Sequence, residues 1–234
     1  MTCFRVATYN VHKCRGLDLK TSQYRVLNVL QDLQADVIAL QETFEEQAIF
    51  MAERLNMHLV FGNARQLGMR PYGNAVLTRG PVLASRCHDL SVSRREPRSC
   101  VRVDVQVAED LMLHVFAVHL GTSYFERRHQ AGRLASPEVL GAPDAQGLRI
   151  VLGDFNEWTR GLATRTLSRH FLSADLASHL IWSRSYPGVL PVLHLDHMYY
   201  DAPLQLSRLW LHRTGVSLVA SDHLPLVAEF EVTH

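Results

Sequence analysis

Polar residues able to bind a metal ion or transfer a proton stand at or near the ends of six short apolar runs. They are Asn10 after FRVATY, Glu42 after VIALQ, His119 after LMLHVFAV, Asp154 and Asn156 after RIVLG, Asp196 and His197 within LDHMYY, and Asp222 and His223 after Ser221. Catalytic groups gather where the strands of a rigid sheet end. The repeated pattern therefore predicts that these six segments contribute to one site.

The side chains at these positions form a chemically coherent set. The carboxylates of Glu42, Asp154 and Asp222 and the amide oxygen of Asn10 are hard donors, which suit Mg²⁺ or Mn²⁺ better than zinc. The histidines are then free for acid–base or electrostatic work. This set favours phosphoester hydrolysis. The reaction needs a metal ion to neutralise phosphate charge, a carboxylate to deprotonate water and a histidinium to stabilise the transition state.

Each residue also has a purely structural interpretation. A single Asp or Asn at a strand end is most often a turn residue or a helix cap. Glu42 alone fits a solvated first-turn glutamate, and His119 alone fits a hydrogen-bonded core histidine. His197 is expected to point away from Asp196, since successive strand residues face opposite sides. Only the combination across six segments favours a site.

Short apolar runs rich in β-branched and aromatic residues, bounded by Gly, Pro, Asp or Asn, are typical of strands. They occur at 4–10, 36–40, 57–61, 74–78, 101–107, 111–120, 149–155, 195–200 and 226–232. Helical periodicity indicates four helices, over about 22–34, about 45–55, a stretch after Ser123, and about 162–170. Strands outnumber helices and several adjoin one another, which predicts a mixed α/β or α+β domain with helices covering stacked sheets.

Two local patterns give further expectations. Val101, Val103, Val105 and Val107 alternate with polar residues, which predicts a strand with one face in water. The stretch 136–147 holds two prolines and two glycines and is predicted to be a surface loop.

The composition bounds the class of protein. The 234 residues suit a single domain over 1–234, and a formal net charge of +1 gives no general argument for nucleic-acid or membrane binding. Lys13 and Lys20 are the only lysines among the 24 basic residues. This preference for arginine fits either genomic base composition or phosphate recognition by guanidinium groups.

The four cysteines, Cys3, Cys14, Cys87 and Cys100, are widely spaced and form no C-x-x-C pair. A zinc site or a disulfide framework is therefore not expected, and free thiols fit a reducing cytoplasm. The N-terminus lacks the pattern of a signal peptide, and no run approaches 18 uncharged apolar residues. We expect a cytoplasmic monomer without a membrane span.

Seven motifs occur in a recognisable order: TYNVHKCRG, VIALQET, YGNAVLTR, FAVHLG, VLGDFNE, LDHMYY and SDHLPLVAEF. The chain from about Phe4 to Phe230 resembles the endonuclease/exonuclease/phosphatase superfamily, and GDFN together with SDHLPL is a highly specific combination. The short length resembles the compact bacterial members. The resemblance implies a four-layered α/β sandwich, with two packed β-sheets flanked by helices, and a Mg²⁺ (or Mn²⁺) cofactor.

The resemblance also implies a metal site. Glu42 matches the principal metal ligand, and Asn10 matches the amide near the metal and the phosphate. Asp222 matches a residue that ligates the metal or orients a histidine.

Five further residues match catalytic positions of the family. Asp154 matches the aspartate that positions or deprotonates water, and Asn156 matches its partner that orients phosphate. His223 matches the histidine of the SDH motif, and which of Asp154 and His223 is the general base stays open. His119 matches a histidine that binds phosphate or assists proton transfer, and Asp196 matches the aspartate near the leaving group.

The substrate is less well specified by the sequence. RPYGNAV resembles the segment that edges the phosphate pocket, so Arg70, Tyr72 and Asn74 are candidate substrate ligands. The arginines at 94, 95 and 98 fit either a nucleic-acid backbone contact or a solvated turn. We expect a phosphoester substrate, with nucleic acid among the candidates.

Four activities stay open. The first is a nuclease-like phosphodiesterase, and the second is a phosphatase or phospholipase-type hydrolase of inositol phosphates or lipid headgroups. The third is a non-catalytic binding module on the same fold. A zinc hydrolase is the least favoured, because the sequence has no H-E-x-x-H spacing.

Overall fold

The computed structural model describes residues 2–157, 161–174 and 195–232. The strands are β1 (Thr2–Asn10), β2 (Val37–Phe44), β3 (His58–Leu67), β4 (Arg70–Thr78), β5 (Val82–Asp89), β6 (Ser99–Ala108), β7 (Leu111–His119), β8 (Leu148–Asp154), β9 (Leu172–Ser173), β10 (Asp196–Tyr200), β11 (Gln205–Leu211) and β12 (Leu226–Val232). The helices are α1 (Gln23–Leu33), α2 (Glu45–Leu55), α3 (Tyr124–Leu134), α4 (Leu162–Leu167) and α5 (Ser217–Ala220).

The described strands form two mixed sheets of six strands each. The order in the first sheet is β11-β12-β1-β2-β4-β3, and the order in the second is β5-β6-β7-β8-β10-β9. β1 pairs with β2 in parallel, and β7 pairs with β8 in parallel, whereas the other neighbours are antiparallel. The predicted pair of mixed sheets is therefore confirmed.

Three apolar clusters separate four layers. The cluster between the two sheets contains Val6, Val103 and Leu152. Residues of α1 and α2, such as Leu30 and Met51, cover the outer face of the first sheet, and α3 and α4 cover the second sheet in the same way. This arrangement confirms the four-layered α/β sandwich, while the single-domain organisation stays a prediction.

Three edge strands escaped the sequence-based prediction, namely β5, β11 and the two-residue β9. β5 and β11 are largely exposed, so they lack the apolar runs and the strict alternation by which strands are detected. The fourth predicted helix is real but ends at Leu167, three residues earlier than expected.

The prediction that one face of β6 lies in water is wrong. Arg102 and Asp104, on the face opposite the valines, are buried. Arg102 donates two hydrogen bonds of 2.8 Å to Asp104, and His114 Nδ1 donates to the same carboxylate at 2.7 Å. The alternating pattern therefore reports two covered faces, one apolar and one ionic.

The segment that covers this ionic face is the stretch predicted to be a surface loop. Leu140 and Ala145 of this stretch are buried, and its Asp144 carboxylate accepts a hydrogen bond of 2.8 Å from Arg102. Proline and glycine content therefore predicted the irregular and largely exposed backbone correctly, but not the burial of its apolar side chains against the sheet.

The topology brings the polar strand ends to one edge of the sandwich. β1 and β2 end there in the first sheet, and β7 and β8 end there in the second. β10 runs antiparallel to β8 and begins opposite it, with Asp196 paired to Asp154. β12, antiparallel to β1, begins just after the SDH motif. We call this the catalytic edge.

Candidate active site

Side chains from three strands meet across the gap between the two sheets. Asn10 Nδ2, at the end of β1, lies 3.0 Å from Asp154 Oδ2 at the end of β8. The same amide lies 3.4 Å from Glu42 Oε1 in β2. Asn10 therefore joins the carboxylates of the two sheets into one cluster.

The local backbone aims these side chains. Glu42 has a φ of +56° and lies where the β2–β4 register shifts between Leu40 and Thr43, which marks a β-bulge. Asn156 also has a positive φ, of +50°. Residues with positive φ other than glycine are uncommon and concentrate at functional sites, so the bulge and the turn re-orient chemistry-bearing residues that regular strands would place elsewhere.

Asp154 is the buried centre of the cluster. Its Oδ1 accepts a hydrogen bond of 2.9 Å from the backbone N–H of Asn156, while Oδ2 faces Asn10. Burial raises the pKa of the Asp154 carboxyl to about 6, although the charge of His223 and these hydrogen bonds act in the opposite direction. A carboxylate with this pKa is a stronger base than an exposed aspartate and is still ionised at neutral pH.

His119 approaches Asp154 as a neutral ring. Its Nε2 lies 3.7 Å from Asp154 Oδ2 and 3.9 Å from Glu42 Oε1. Arg98 Nη1 lies 3.0 Å from Nδ1, and because a guanidinium only donates, Nδ1 accepts and the proton sits on Nε2. Burial, followed by the charges of Arg98 and His223, holds the pKa of His119 well below its ordinary value.

His223 approaches Asp154 as a cation. Its Nε2 lies 3.7 Å from Asp154 Oδ2, and its Nδ1 donates to Asp196 Oδ2 at 2.9 Å. Burial lowers the pKa of His223, but Asp196, Asp154 and Asp222 outweigh it and raise the pKa to about 10. Asp196 is fully buried, and among the described residues its other oxygen has no hydrogen-bond partner.

Asp222 is paired with a residue that the sequence analysis did not single out. His12 Nδ1 lies 3.1 Å from Asp222 Oδ2. Burial raises the pKa of Asp222, but the hydrogen bond from His12 and the charge of His223 outweigh burial and hold this pKa below its ordinary value. His12, Lys13 and Cys14 all have positive φ. The sequence did offer one signal for His12: together with Lys13 it forms a polar pair two residues after Asn10, where β1 ends.

The three predicted substrate ligands divide into two groups. Tyr72 and Asn74 line a small recess beside Arg98 and His119, and burial together with the charge of Glu42 raises the pKa of the Tyr72 hydroxyl. Asn74 Nδ2 is directed at the Ser99 carbonyl, 3.2 Å away. Arg70 instead forms an ion pair with Glu46 and covers the Phe44 ring, so its guanidinium is engaged away from this recess.

Arg98 lies in the candidate site. Its position fits neither of the two roles considered for the arginines at 94, 95 and 98, a nucleic-acid backbone contact or a solvated turn. It is buried, bound to His119 and also paired with Glu96 at 2.7 Å. His197, in contrast, lies half-buried against the rings of Phe155 and Tyr199 rather than in the cluster.

The donors for a metal ion are few but suitable. Within the described part of the chain, no group of three or more His, Cys, Asp or Glu side chains is arranged to hold an ion. Mg²⁺ does not require such a cage, since it commonly takes one or two carboxylates and keeps several waters. Glu42, whose side chain is 23% exposed and is placed beside Asn10, fits that mode.

Two expectations about the chain as a whole can be compared with the structure. All four cysteines are unpaired, as predicted. Within 2–157, 161–174 and 195–232, no helix combines the length and the apolarity needed to cross a membrane.

The endonuclease/exonuclease/phosphatase family model matches residues 7–223, and the chain belongs to this family. Members of the family are generally hydrolases, among them nucleases, phosphatases and phosphodiesterases, and they commonly use divalent metal ions. The resemblance inferred from the motifs is thereby confirmed.

Individual relatives span the whole chain. Uncharacterized protein YbhP of Escherichia coli (strain K12) is 28% identical and covers 98% of this chain and 96% of its own length. An endonuclease/exonuclease/phosphatase structure from Beutenbergia cavernae has a TM-score of 0.81 at 19% identity, over 98% of this chain and 72% of that chain. A D. rerio TDP2 complexed with a single-strand DNA product has a TM-score of 0.78 at 15% identity, over 99% and 100%. These two structures support the fold.

Proposed function

We propose that this protein is a divalent-metal-dependent phosphoester hydrolase that cleaves a phosphodiester by in-line attack of water. One observation carries the proposal. The buried Asp154 carboxylate lies 3.7 Å from the Nε2 atoms of two histidines, one neutral and one cationic. The reaction needs a base to activate the attacking water, a neutral donor to orient the phosphate and a cation to stabilise the charge of the transition state. The three side chains supply these groups around one point.

Each group has a separate task in this mechanism. Asp154 orients the attacking water and accepts its proton, which its pKa of about 6 allows at neutral pH. His223, held by Asp196, stabilises the negative charge that develops on the phosphoryl oxygens. His119 donates from Nε2 to a non-bridging oxygen, and Asn156 helps to orient the phosphate.

Glu42, with Asn10 and Asp222, would hold a Mg²⁺ or Mn²⁺ ion beside this cluster. When bound, such an ion neutralises phosphate charge and polarises the P–O bond. Glu42 is the ligand that the geometry supports best, because Asn10 Nδ2 donates towards its carboxylate. Asn10 Oδ1, the atom that could bind the ion, accepts a hydrogen bond of 3.1 Å from the His12 backbone N–H. Tyr72 and Asn74, which line the recess next to His119, are the proposed phosphate contacts.

The test is hydrolysis of bis(4-nitrophenyl) phosphate with Mg²⁺, with Mn²⁺ and with EDTA. We expect metal-dependent turnover, and a loss on the order of 100-fold in kcat in both Asp154→Asn and His223→Gln. Asp201→Asn is the matched control, because Asp201 is a buried aspartate bound to Arg149 outside the site. Equal turnover of Asp154→Asn and Asp201→Asn would overturn the assignment.

The same assay separates the competing activities. Faster turnover of 4-nitrophenyl phosphate than of the diester would favour a phosphatase. Single-stranded DNA is included as a third substrate, because the D. rerio TDP2 structure holds a single-strand DNA product. If the folded protein hydrolyses neither ester nor this DNA, the result would favour a binding module.

We further propose a monomer in a reducing compartment, the cytoplasm. The four unpaired cysteines support the compartment. Gel filtration with light scattering and quantitation of free thiols after cell lysis test the two parts separately.

A further inference from the structure

The three most exposed large apolar side chains among the described residues all lie at the catalytic edge. Met69 is 98% exposed, Phe125 76% and Leu19 69%. Single exposed apolar residues are common on protein surfaces and need no explanation. The shared location of these three does need one, and we call them the apolar rim.

Each member of the apolar rim is carried by a different segment next to the site. Leu19 stands in the turn closed by the Arg15–Thr21 bridge, which follows β1. Met69 stands at the tip of the β3–β4 hairpin, just beyond Tyr72. Phe125 stands in the first turn of α3, shortly after His119 ends β7.

The fold gives none of these side chains a partner within the core. Leu19 also has a φ of +62°, a conformation that leucine rarely adopts. Within the described part of the chain, the Phe125 ring packs edge to face on one other aromatic ring, that of Tyr124, which is itself 54% exposed. Strain and exposure at the same position point to a function outside the core of the chain.

A basic residue accompanies each apolar side chain. Lys20 follows Leu19, Arg70 follows Met69, and Arg127 follows Phe125 within two residues. Arg70 is ion-paired with Glu46, so Lys20 and Arg127 are the cations left for an anionic surface. Of the neighbouring acids, Asp18 is paired with Arg25, and Glu126 is buried and accepts a hydrogen bond from the Ser123 N–H. Exposed apolar residues at the opposite edge, Leu83 and Met112, have no lysine or arginine within two residues.

We propose that the apolar rim docks the catalytic edge onto an anionic phospholipid bilayer, so that the phosphodiester cleaved is that of a lipid headgroup. Apolar side chains that enter the acyl boundary beside cations that meet anionic headgroups are the signature of interfacial binding. Aliphatic Met69 and Leu19 offer no ring for base stacking, which disfavours single-stranded nucleic acid as the occupant. Three separate tips around an opening also differ from the contiguous patch that a protein partner requires.

The reaction on this substrate rests on the proposed function, whereas the docking does not. Water forms the new P–O bond and one ester P–O bond breaks. Asp154 accepts the proton that the attacking water loses, and the leaving alkoxide takes one from solvent, which gives a phosphate monoester and an alcohol. A lipid held by its acyl chains would present its headgroup to the site, because the apolar rim lies at the same edge of the sandwich as the site.

Docking is tested with EDTA-treated protein and sedimented vesicles, so that binding is measured without turnover. We expect binding to phosphatidylcholine vesicles that contain phosphatidylglycerol, weaker binding to pure phosphatidylcholine, and a decrease with salt. Leu19→Asp, Met69→Asp and Phe125→Asp should each weaken the partition by about tenfold. Leu83→Asp and Met112→Asp are the matched controls from the opposite edge and should change it by less than about twofold.

Several results would overturn the docking. The first is that wild type does not bind the anionic vesicles, and the second is that rim and control variants change vesicle binding equally. The third is that the rim variants lose binding to an oligonucleotide, or a dimer formed through the rim, instead of binding to vesicles. Turnover of bis(4-nitrophenyl) phosphate distinguishes the two proposals. If wild type hydrolyses this soluble ester but does not bind vesicles, only the docking fails. If it binds vesicles but hydrolyses neither this ester nor phosphatidylglycerol, the docking stands, and the proposed function fails together with the lipid as its substrate.

Discussion

At the scale of single residues, the site holds two chemically identical side chains in opposite states. His119 and His223 lie at the same distance, 3.7 Å, from Asp154 Oδ2. Arg98 occupies Nδ1 of the first ring, and Asp196 occupies Nδ1 of the second. A cationic neighbour favours the neutral form of an imidazole and an anionic neighbour favours the charged form, so the partner on Nδ1 assigns each histidine its task.

The charge on His223 should appear in the pH dependence of stability. Its pKa is raised from 6.5 to about 10 on folding, so the folded state binds the extra proton between these values. Its contribution to the free energy of unfolding is complete below about pH 6.5 and is lost as the pH rises towards 10, at no more than about 1.4 kcal/mol per pH unit. Urea denaturation in EDTA at pH 7, 8 and 9 should therefore show a steeper decline for wild type than for His223→Gln. Parallel declines would mean that His223 is neutral in the folded protein.

At the scale of elements, the strand that delivers Asp154 depends on one glycine. Gly153 has a φ of +146°, and a Cβ at this position would lie 1.9 Å from the Val118 carbonyl oxygen in the neighbouring strand β7. The close approach of β7 and β8 at this point brings His119 opposite Asp154 in the register. A side chain here would push apart the two strand ends that carry the site.

Gly153→Ala should therefore destabilise the protein by several kcal/mol, since both the backbone conformation and the space are unfavourable. Gly132→Ala is the matched control: this exposed glycine lies in α3 with nothing within 4 Å of the added Cβ. It should stabilise by about 0.5–1 kcal/mol through helix propensity. Thermal unfolding of both variants against wild type measures the contrast, and a neutral Gly153→Ala would refute the steric account.

The elements also show where prediction from sequence reached its limit. The strands that end in Asn10, His119 and Asp154 were predictable because their apolar runs are buried on both faces. β5 and β11 were not, since an edge strand is stabilised by pairing that leaves little trace in hydropathy. The ionic face of β6 was predicted to be exposed to solvent, because polar residues at alternate positions fit both a solvent-exposed face and a buried face with ion pairs.

At the scale of the whole molecule, the outer layer of the second sheet is held by charge as well as by apolar contact. Arg102 bridges Asp104 in β6 to Asp144 in the covering segment, and His114 in β7 completes the network. Such a network fixes the irregular segment 136–147 against the sheet on the side away from the first sheet. Removing one member of a buried pair leaves an uncompensated charge.

Asp104→Asn should accordingly lower the free energy of unfolding by about 3–5 kcal/mol. Asp144→Asn makes the matched comparison, because the Asp144 side chain is 55% exposed and water replaces part of its interaction. Its loss should be about 1 kcal/mol or less. Urea midpoints for the two variants give the comparison, and similar losses would show that the network is as solvated as a surface ion pair.

The family, the residue types of the candidate site and the strands that end in them could all be inferred from the amino-acid sequence. Strand patterns and local motifs such as GDFN and SDHLPL are readable from neighbouring residues alone. Which of these residues lie together, and in what charge state, depends on contacts that form only in the folded chain. Asn10 meets Asp154 from 144 residues away, and His223 meets Asp196 from 27 residues away. The pKa of a buried group depends on such neighbours and on the removal of water, and neither is encoded in any local stretch of the chain.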